Sequence, residues 1–254
     1  VSRGARAAYW TAGKLRWTAL GAISALGFAP WNLWPVALAA FALLMLGLAR
    51  VERLRTALAI GWWFGLGHFG FGLNWIATAF TYQAAMPAWL GWVAVLLLSL
   101  FLALYPAVAA GLAWRWGRGD KVRLVLLFAA AWIVTEWLRA TLFTGFAWNP
   151  LGVLWVPVLP VAGAARWIGT YGLSGLFIVA AGLPLMLVAR RWAAAGAIAA
   201  GLIAAMRRSP SRSPAASARS RSSAAARGEW SSATAPARKA AITGGSSAAT
   251  GSAR

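Results

Sequence analysis

The chain is 254 residues long, 61% hydrophobic, with a formal net charge of +20, 18 tryptophans, one histidine and no cysteine; its mean hydropathy is +0.68. That apolar share lies well above the roughly 45–50% of a soluble domain, and tryptophan collects at membrane–water interfaces, so the composition reads as a polytopic membrane protein. The missing cysteine excludes a disulfide, a thiolate nucleophile and a Cys metal site, and the single His68 excludes a histidine metal cluster. No metal or cofactor is expected.

In chain order, Arg3, Arg6, Lys14 and Arg16 precede or enter a first apolar run at 15–28. That run is short, since about 20 residues are needed to cross about 30 Å. A start near Tyr9, with Lys14 and Arg16 snorkelling, gives it the length. Residue 1 is valine, as expected of a fragment or an alternative start codon. No signal-peptide cleavage site is visible, so the first run is expected to remain as an anchor.

Pro30, Pro35, Trp31 and Trp34 mark an uncharged turn, and 36–49 goes back, giving a helical hairpin. Arg50, Glu52, Arg53 and Arg55 form the next loop. A third run at 58–80 is glycine-rich, with Gly61 and Gly65 at the small-xxx-small spacing that lets helices approach closely; packing is the expected role of these glycines. After an uncharged loop at 81–87, a fourth run spans 88–114 and contains Pro106, whose freed backbone groups neighbouring helices or local adjustment must satisfy. Arg115, Arg118, Asp120, Lys121 and Arg123 close it. A fifth run covers 124–143, and an uncharged loop rich in tryptophan and proline covers 144–165. A sixth run covers 166–189, and 193–206 reads as the start of a seventh.

The basic clusters therefore fall before run one and after runs two, four and six, while the alternate loops are uncharged and aromatic. By the positive-inside rule the N-terminus is cytoplasmic and the aromatic loops face outward. The predicted organisation is a cytoplasmic segment at 1–14, an all-α bundle of about six to seven membrane spans at 15–206, and a basic tail rich in Ser, Ala and Arg at 207–254. The tail is expected to be disordered, because it buries too little apolar surface to offset its ordering entropy. Its onset inside an apolar run, and its Ala, Arg, Gly, Ser and Pro composition, read as a frameshifted or mispredicted end. The alternative is an evolved basic tail. Its SRSP and SRS repeats resemble RNA-binding segments, but after a membrane bundle no nucleic-acid partner is expected.

Glu136 and Arg139 lie three residues apart, on one helix face. A charge within a span is costly and calls for a named partner. Two readings stand: an ion pair that fixes packing, or an Arg139 near the outer face that meets a lipid phosphate. His68 and Asn74, six apart, read as interhelical hydrogen-bonding residues. Gln83 and Asn149 sit in outer loops where a headgroup site would lie, with Phe146 and Trp148 expected to line a side opening. Gly13-Lys14 is no phosphate loop, Gly172-Leu173-Ser174-Gly175 is no nucleophile elbow, and no acidic pair is spaced for general acid–base work.

LGFAPWNLWPVALAAFALL at 26–44, GWWFGLGHFGFGLNWI at 61–76, Met86-Pro87, IGTYGLSGL at 168–176 and above all TEWLRATLFTGFAWNPLG at 135–152 resemble the bacterial apolipoprotein N-acyltransferase family. The resemblance runs from about 15 to about 205. It implies transfer of an acyl chain from a phospholipid to the N-terminal diacylglyceryl-cysteine of a lipoprotein, at the outer face of the inner membrane. It also implies eight membrane helices, with a nitrilase-like domain carrying a Glu–Lys–Cys set between the seventh and eighth. None of those three maps to any position of this chain, so no catalytic residue is expected here and the chain alone is expected to be inactive, as a truncated monomer that still binds lipid. A small-molecule transporter and a noncatalytic membrane anchor are the competing readings; a transporter would be expected to show repeat symmetry, and no clear internal repeat is present.

Overall fold

A computed structural model describes residues 3–82, 87–143, 145–188, 196, 197, 200, 201 and 204, with side chains from residue 13 onward. Among the described residues every regular element is helical: α1 (Arg3–Ala25), α2 (Trp34–Arg50), α3 (Leu54–Gly72), α4 (Asn74–Phe80), α5 (Ala88–Leu102), α6 (Leu104–Gly117), α7 (Lys121–Thr141), a 3-10 helix (Leu151–Trp155), α8 (Leu159–Ala162) and α9 (Ala165–Val188). The all-α reading holds. Residues 1–209 form one compact unit. The expected disordered tail, most of the seventh run, Gln83, Met86 and Thr144 lie outside the described residues.

Six helical columns match the six apolar runs, with differences that have local causes. α1 is continuous from Arg3 to Ala25, so no helix end separates the predicted N-terminal segment from the first span. The third run breaks at Leu73 into α3 and α4. The fourth breaks at Ala103, three residues before Pro106, so the proline occupies the first turn of α6, where a missing N–H costs least. The Asp120 carboxylate starts α7 by accepting from Val122 N at 2.8 Å and Arg123 N at 3.2 Å. Within α9, Gly169 takes φ 69° and ψ 176°, a kink that the absent Cβ permits.

Among the described residues three stretches are long and apolar enough to cross a membrane: Ala88–Gly117, Lys121–Thr141 and Ala165–Leu187; Trp34–Arg50 is a shorter apolar helix. The outer surface is apolar as well. Leu96, Leu97, Leu104, Val108, Leu126 and Val134 are all exposed.

α1 packs on α3, α3 on α6, α6 on α7 and α7 on α9. In lipid such contacts rest on close packing rather than on expelling water. A Cβ on Gly61 would meet Pro106 O at 2.6 Å and Ala110 Cβ at 2.7 Å, and one on Gly65 would meet Pro106 Cγ at 2.9 Å. These two glycines pack α3 on α6, as their spacing predicts. α1 and α3 close through a reciprocal pair: a Cβ on Gly21 would strike the Phe64 carbonyl, and one on Gly67 the Thr18 carbonyl. At the centre Phe41 meets Phe64, Trp132 and Phe177 at ring-centroid distances of 5.0, 5.2 and 5.8 Å, joining α2, α3, α7 and α9.

The two ends of this bundle differ. At one end Trp114 Nε1 donates to Val51 O at 2.7 Å, drawing the α6 terminus to the basic loop between α2 and α3. At the other, Trp31 meets Phe71 at 5.4 Å, Trp75 meets Trp148 at 5.5 Å and Phe101 meets Phe143 at 6.0 Å. The charged and the aromatic connections thus gather at opposite ends.

Candidate functional site

The C-terminal half of α7 and the chain that folds back from it build the aromatic end. α7 stops as Leu142 N donates to Leu138 O at 2.7 Å. Phe143 and Gly145 then take left-handed φ values of 56° and 71°, and Phe146 N donates to Arg139 O at 2.7 Å. The chain has turned back over the end of its own helix, and residues 146–155 continue as irregular backbone and a 3-10 turn.

Irregular backbone packed into a helix bundle needs partners for its N–H and C=O groups. Three side chains supply them, and a fourth, Asn149, tethers the segment to its neighbour. Arg139 Nη1 donates to Trp148 O at 2.7 Å, and Glu136 Oε1 accepts from Leu151 N at 2.9 Å. Ser174 Oγ accepts from Gly152 N at 2.8 Å and itself donates to Thr170 O at 3.2 Å. Asn149, at a left-handed φ of 53°, donates its Nδ2 to Gly72 O at 2.8 Å. Trp155 Nε1 adds a bond to Leu173 O at 3.2 Å. The segment is therefore fastened to α3, α7 and α9 at once.

Both charges are spent on this task. Glu136 and Arg139 are each 4% exposed, with Nη2 3.8 Å from Oε1. The guanidinium lies 5.2 Å from the Phe69 ring and 5.9 Å from the Phe146 ring. Arg139 is thus enclosed by rings and a backbone carbonyl. Glu136 Oε2 is buried without a hydrogen-bond partner among the described residues. Serine at 174 is no nucleophile elbow; its hydroxyl is committed to backbone on both sides.

The remaining predicted residues separate. Trp148 is 59% exposed and edge-on to Trp75, while Phe146 is half-buried against Phe69, Leu73 and Leu102. Asn149 is a clamp for α3. Trp155, in the tryptophan-rich loop, is core: it is 4% exposed and packs on Trp34 at 5.9 Å and Phe177 at 5.5 Å. The 3-10 turn, read as loop from its prolines, swings that ring inward. His68 is interhelical as expected, its Nδ1 2.7 Å from Ser24 Oγ on α1; Asn74 opens α4. Among the described residues no group of three His, Cys, Asp or Glu side chains is placed to hold a metal. Two cavities lie at the basic end, and neither has Phe146 or Trp148 in its wall.

The family model of the apolipoprotein N-acyltransferase N-terminal domain matches residues 20–183, which include every residue of this clamp. Curated relatives named apolipoprotein N-acyltransferase are similar to the chain. That of Ralstonia nicotianae is 39% identical over 175 residues, covering 68% of this chain and 33% of the relative. That of Rhodopseudomonas palustris is 38% identical over 197 residues, 73% of this chain and 36% of the relative. That of Nitrosomonas europaea is 36% identical over 171 residues, 64% and 33%. The chain spans about a third of the length of the curated relatives it matches.

Proposed function

The chain belongs to the apolipoprotein N-acyltransferase family through its N-terminal domain, and from that premise we propose that it is the membrane portion of such an enzyme. Its aromatic end meets a phospholipid acyl donor and a diacylglyceryl lipoprotein at the outer face of the bacterial inner membrane, with the N-terminus cytoplasmic and the chain a monomer. The observation that carries this reading is the clamped segment 146–155: Glu136, Arg139, Ser174 and Asn149 fix its backbone and leave Trp148 exposed beside Trp75. A rigid, uncharged, aromatic surface of this kind suits lipid at the level of its headgroup.

The surface contributes binding and orientation. It offers no thiol for nucleophilic chemistry, since the sequence holds no cysteine, and the hydroxyl of Ser174 is tied to backbone. We infer that these 254 residues alone do not transfer an acyl chain. Family membership takes precedence over the transporter reading, and a noncatalytic anchor is what the chain amounts to if lipid binding fails.

A photoreactive phospholipid and a diacylglyceryl-cysteine peptide test both parts. Crosslinks are expected at the Trp75–Trp148 face, with no N-acylated peptide above a no-enzyme control. Turnover by the chain alone would refute the inferred inactivity. Crosslinks spread evenly over all apolar faces would refute the site.

A further inference from the structure

The basic end carries two grooves that the acyl-transfer reading does not use. One, of about 310 Å3, lies against Lys14, Arg16, Trp17, Val51, Ile60 and Trp63. The other, of about 510 Å3, lies against Arg16, Trp17, Arg50, Val51 and Ile60. They share a wall of Trp17, Val51 and Ile60, with Arg16 on it, so a single ridge separates two apolar troughs. Both volumes fall within the roughly 300–1,000 Å3 typical of small-molecule sites, which are mostly apolar with a few convergent polar groups.

The charged groups lining the grooves are all cationic, with Thr56 as a neutral polar neighbour in the first. Arg16 lies 4.9 Å over the Trp17 ring and Lys14 5.5 Å over the Trp63 ring, so the groove walls themselves hold two of the three charges in place. Arg50 closes α2 at the mouth of the second groove. Glu52, in the adjoining loop, is exposed. The Glu136–Arg139 pair lies at the other end.

We propose that this end binds an anionic phospholipid, with its phosphate among Lys14, Arg16 and Arg50 and its two acyl chains in the two grooves on either side of the Trp17–Ile60 ridge. Charge complementarity selects the headgroup, and the paired apolar troughs select a two-chain lipid over a soluble phosphate ester. The site does not rest on the acyl-transfer reading and lies at the opposite end of the bundle from it.

Native mass spectrometry of the purified full chain tests this, with phosphatidylglycerol, phosphatidylcholine and glycerol 3-phosphate titrated in turn. Phosphatidylglycerol should bind at least about tenfold more tightly than phosphatidylcholine, since each lysine or arginine near an anionic lipid surface adds about a factor of five. K14Q/R16Q/R50Q should abolish the preference. R115Q/R123Q, which removes two charges from the same end outside the grooves, should keep it. A59W, which fills the first groove, should weaken both lipids, and a retained helical melt shows that either variant is folded. Equal loss in R115Q/R123Q, equal binding of the two lipids, or glycerol 3-phosphate binding as tightly as phosphatidylglycerol would each overturn the proposal.

Discussion

The same residue type does opposite work at the two ends of the bundle. At the basic end Arg53, Arg115, Arg118 and Arg123 are exposed, and Arg118 rests on the Trp114 ring at 4.9 Å. At the aromatic end Arg139 is enclosed, bonded to Trp148 O and flanked by Phe69 and Phe146. The exposed arginines face outward from the bundle, while the enclosed one helps to fix the path of the returning backbone. A charge count therefore says nothing about an arginine's role until its neighbours are known.

The largest expected effect breaks the clamp. Arg139→Ala leaves Glu136 buried and uncompensated, which typically costs roughly 3–5 kcal/mol. The thermal midpoint in detergent should fall sharply, and residues 146–155 should become protease-sensitive. Arg115→Gln, an equal loss of charge at the other end, should stay within about 0.5 kcal/mol. Equal effects from the two would erase the contrast between the ends.

Helix contact gives the next effect. Gly67→Ala drives a Cβ into the Thr18 carbonyl of α1, and overpacking of this kind costs roughly 1–3 kcal/mol. Gly13→Ala, in the same α1 but with nothing within 4 Å of its Cβ, should instead gain up to about 1 kcal/mol of helix propensity. Opposite shifts in unfolding temperature check both.

Asn149 sharpens the clamp further. Asn149→Ala loses the bond to Gly72 O and strains a φ of 53°, at a cost of about 1–3 kcal/mol. Asn149→Gly relieves the strain alone, and the gap between the two variants measures it. The smallest effect belongs to Trp148→Ala. That exposed ring should leave stability within about 0.5 kcal/mol while reducing phospholipid crosslinking at the aromatic end.

Much of this was legible in the sequence. Apolar runs separated by alternately charged and uncharged loops gave the six columns, and the i,i+3 spacing put Glu136 and Arg139 on one face. Their partners were not legible, because Trp148 O and Leu151 N are backbone atoms that no residue letter announces. Trp155 reads like its neighbours in an aromatic loop, and only the 3-10 turn decides that its ring goes inward. Gly61 and Gly65 follow a known spacing on one helix; Gly21 and Gly67 lie on different helices, and only the packing reveals that they face each other. His68 read correctly as an interhelical residue, but Ser24 as its partner is a matter of three dimensions.

The proposed orientation sets the two ends on opposite sides of the membrane, aromatic end outward. The chain contains no cysteine, so one introduced thiol is a unique reporter. With a membrane-impermeant maleimide on intact spheroplasts, Val156→Cys should label at once and Arg53→Cys only after permeabilisation. Labelling of Arg53→Cys from outside, with Val156→Cys protected until the membrane is opened, would contradict the account.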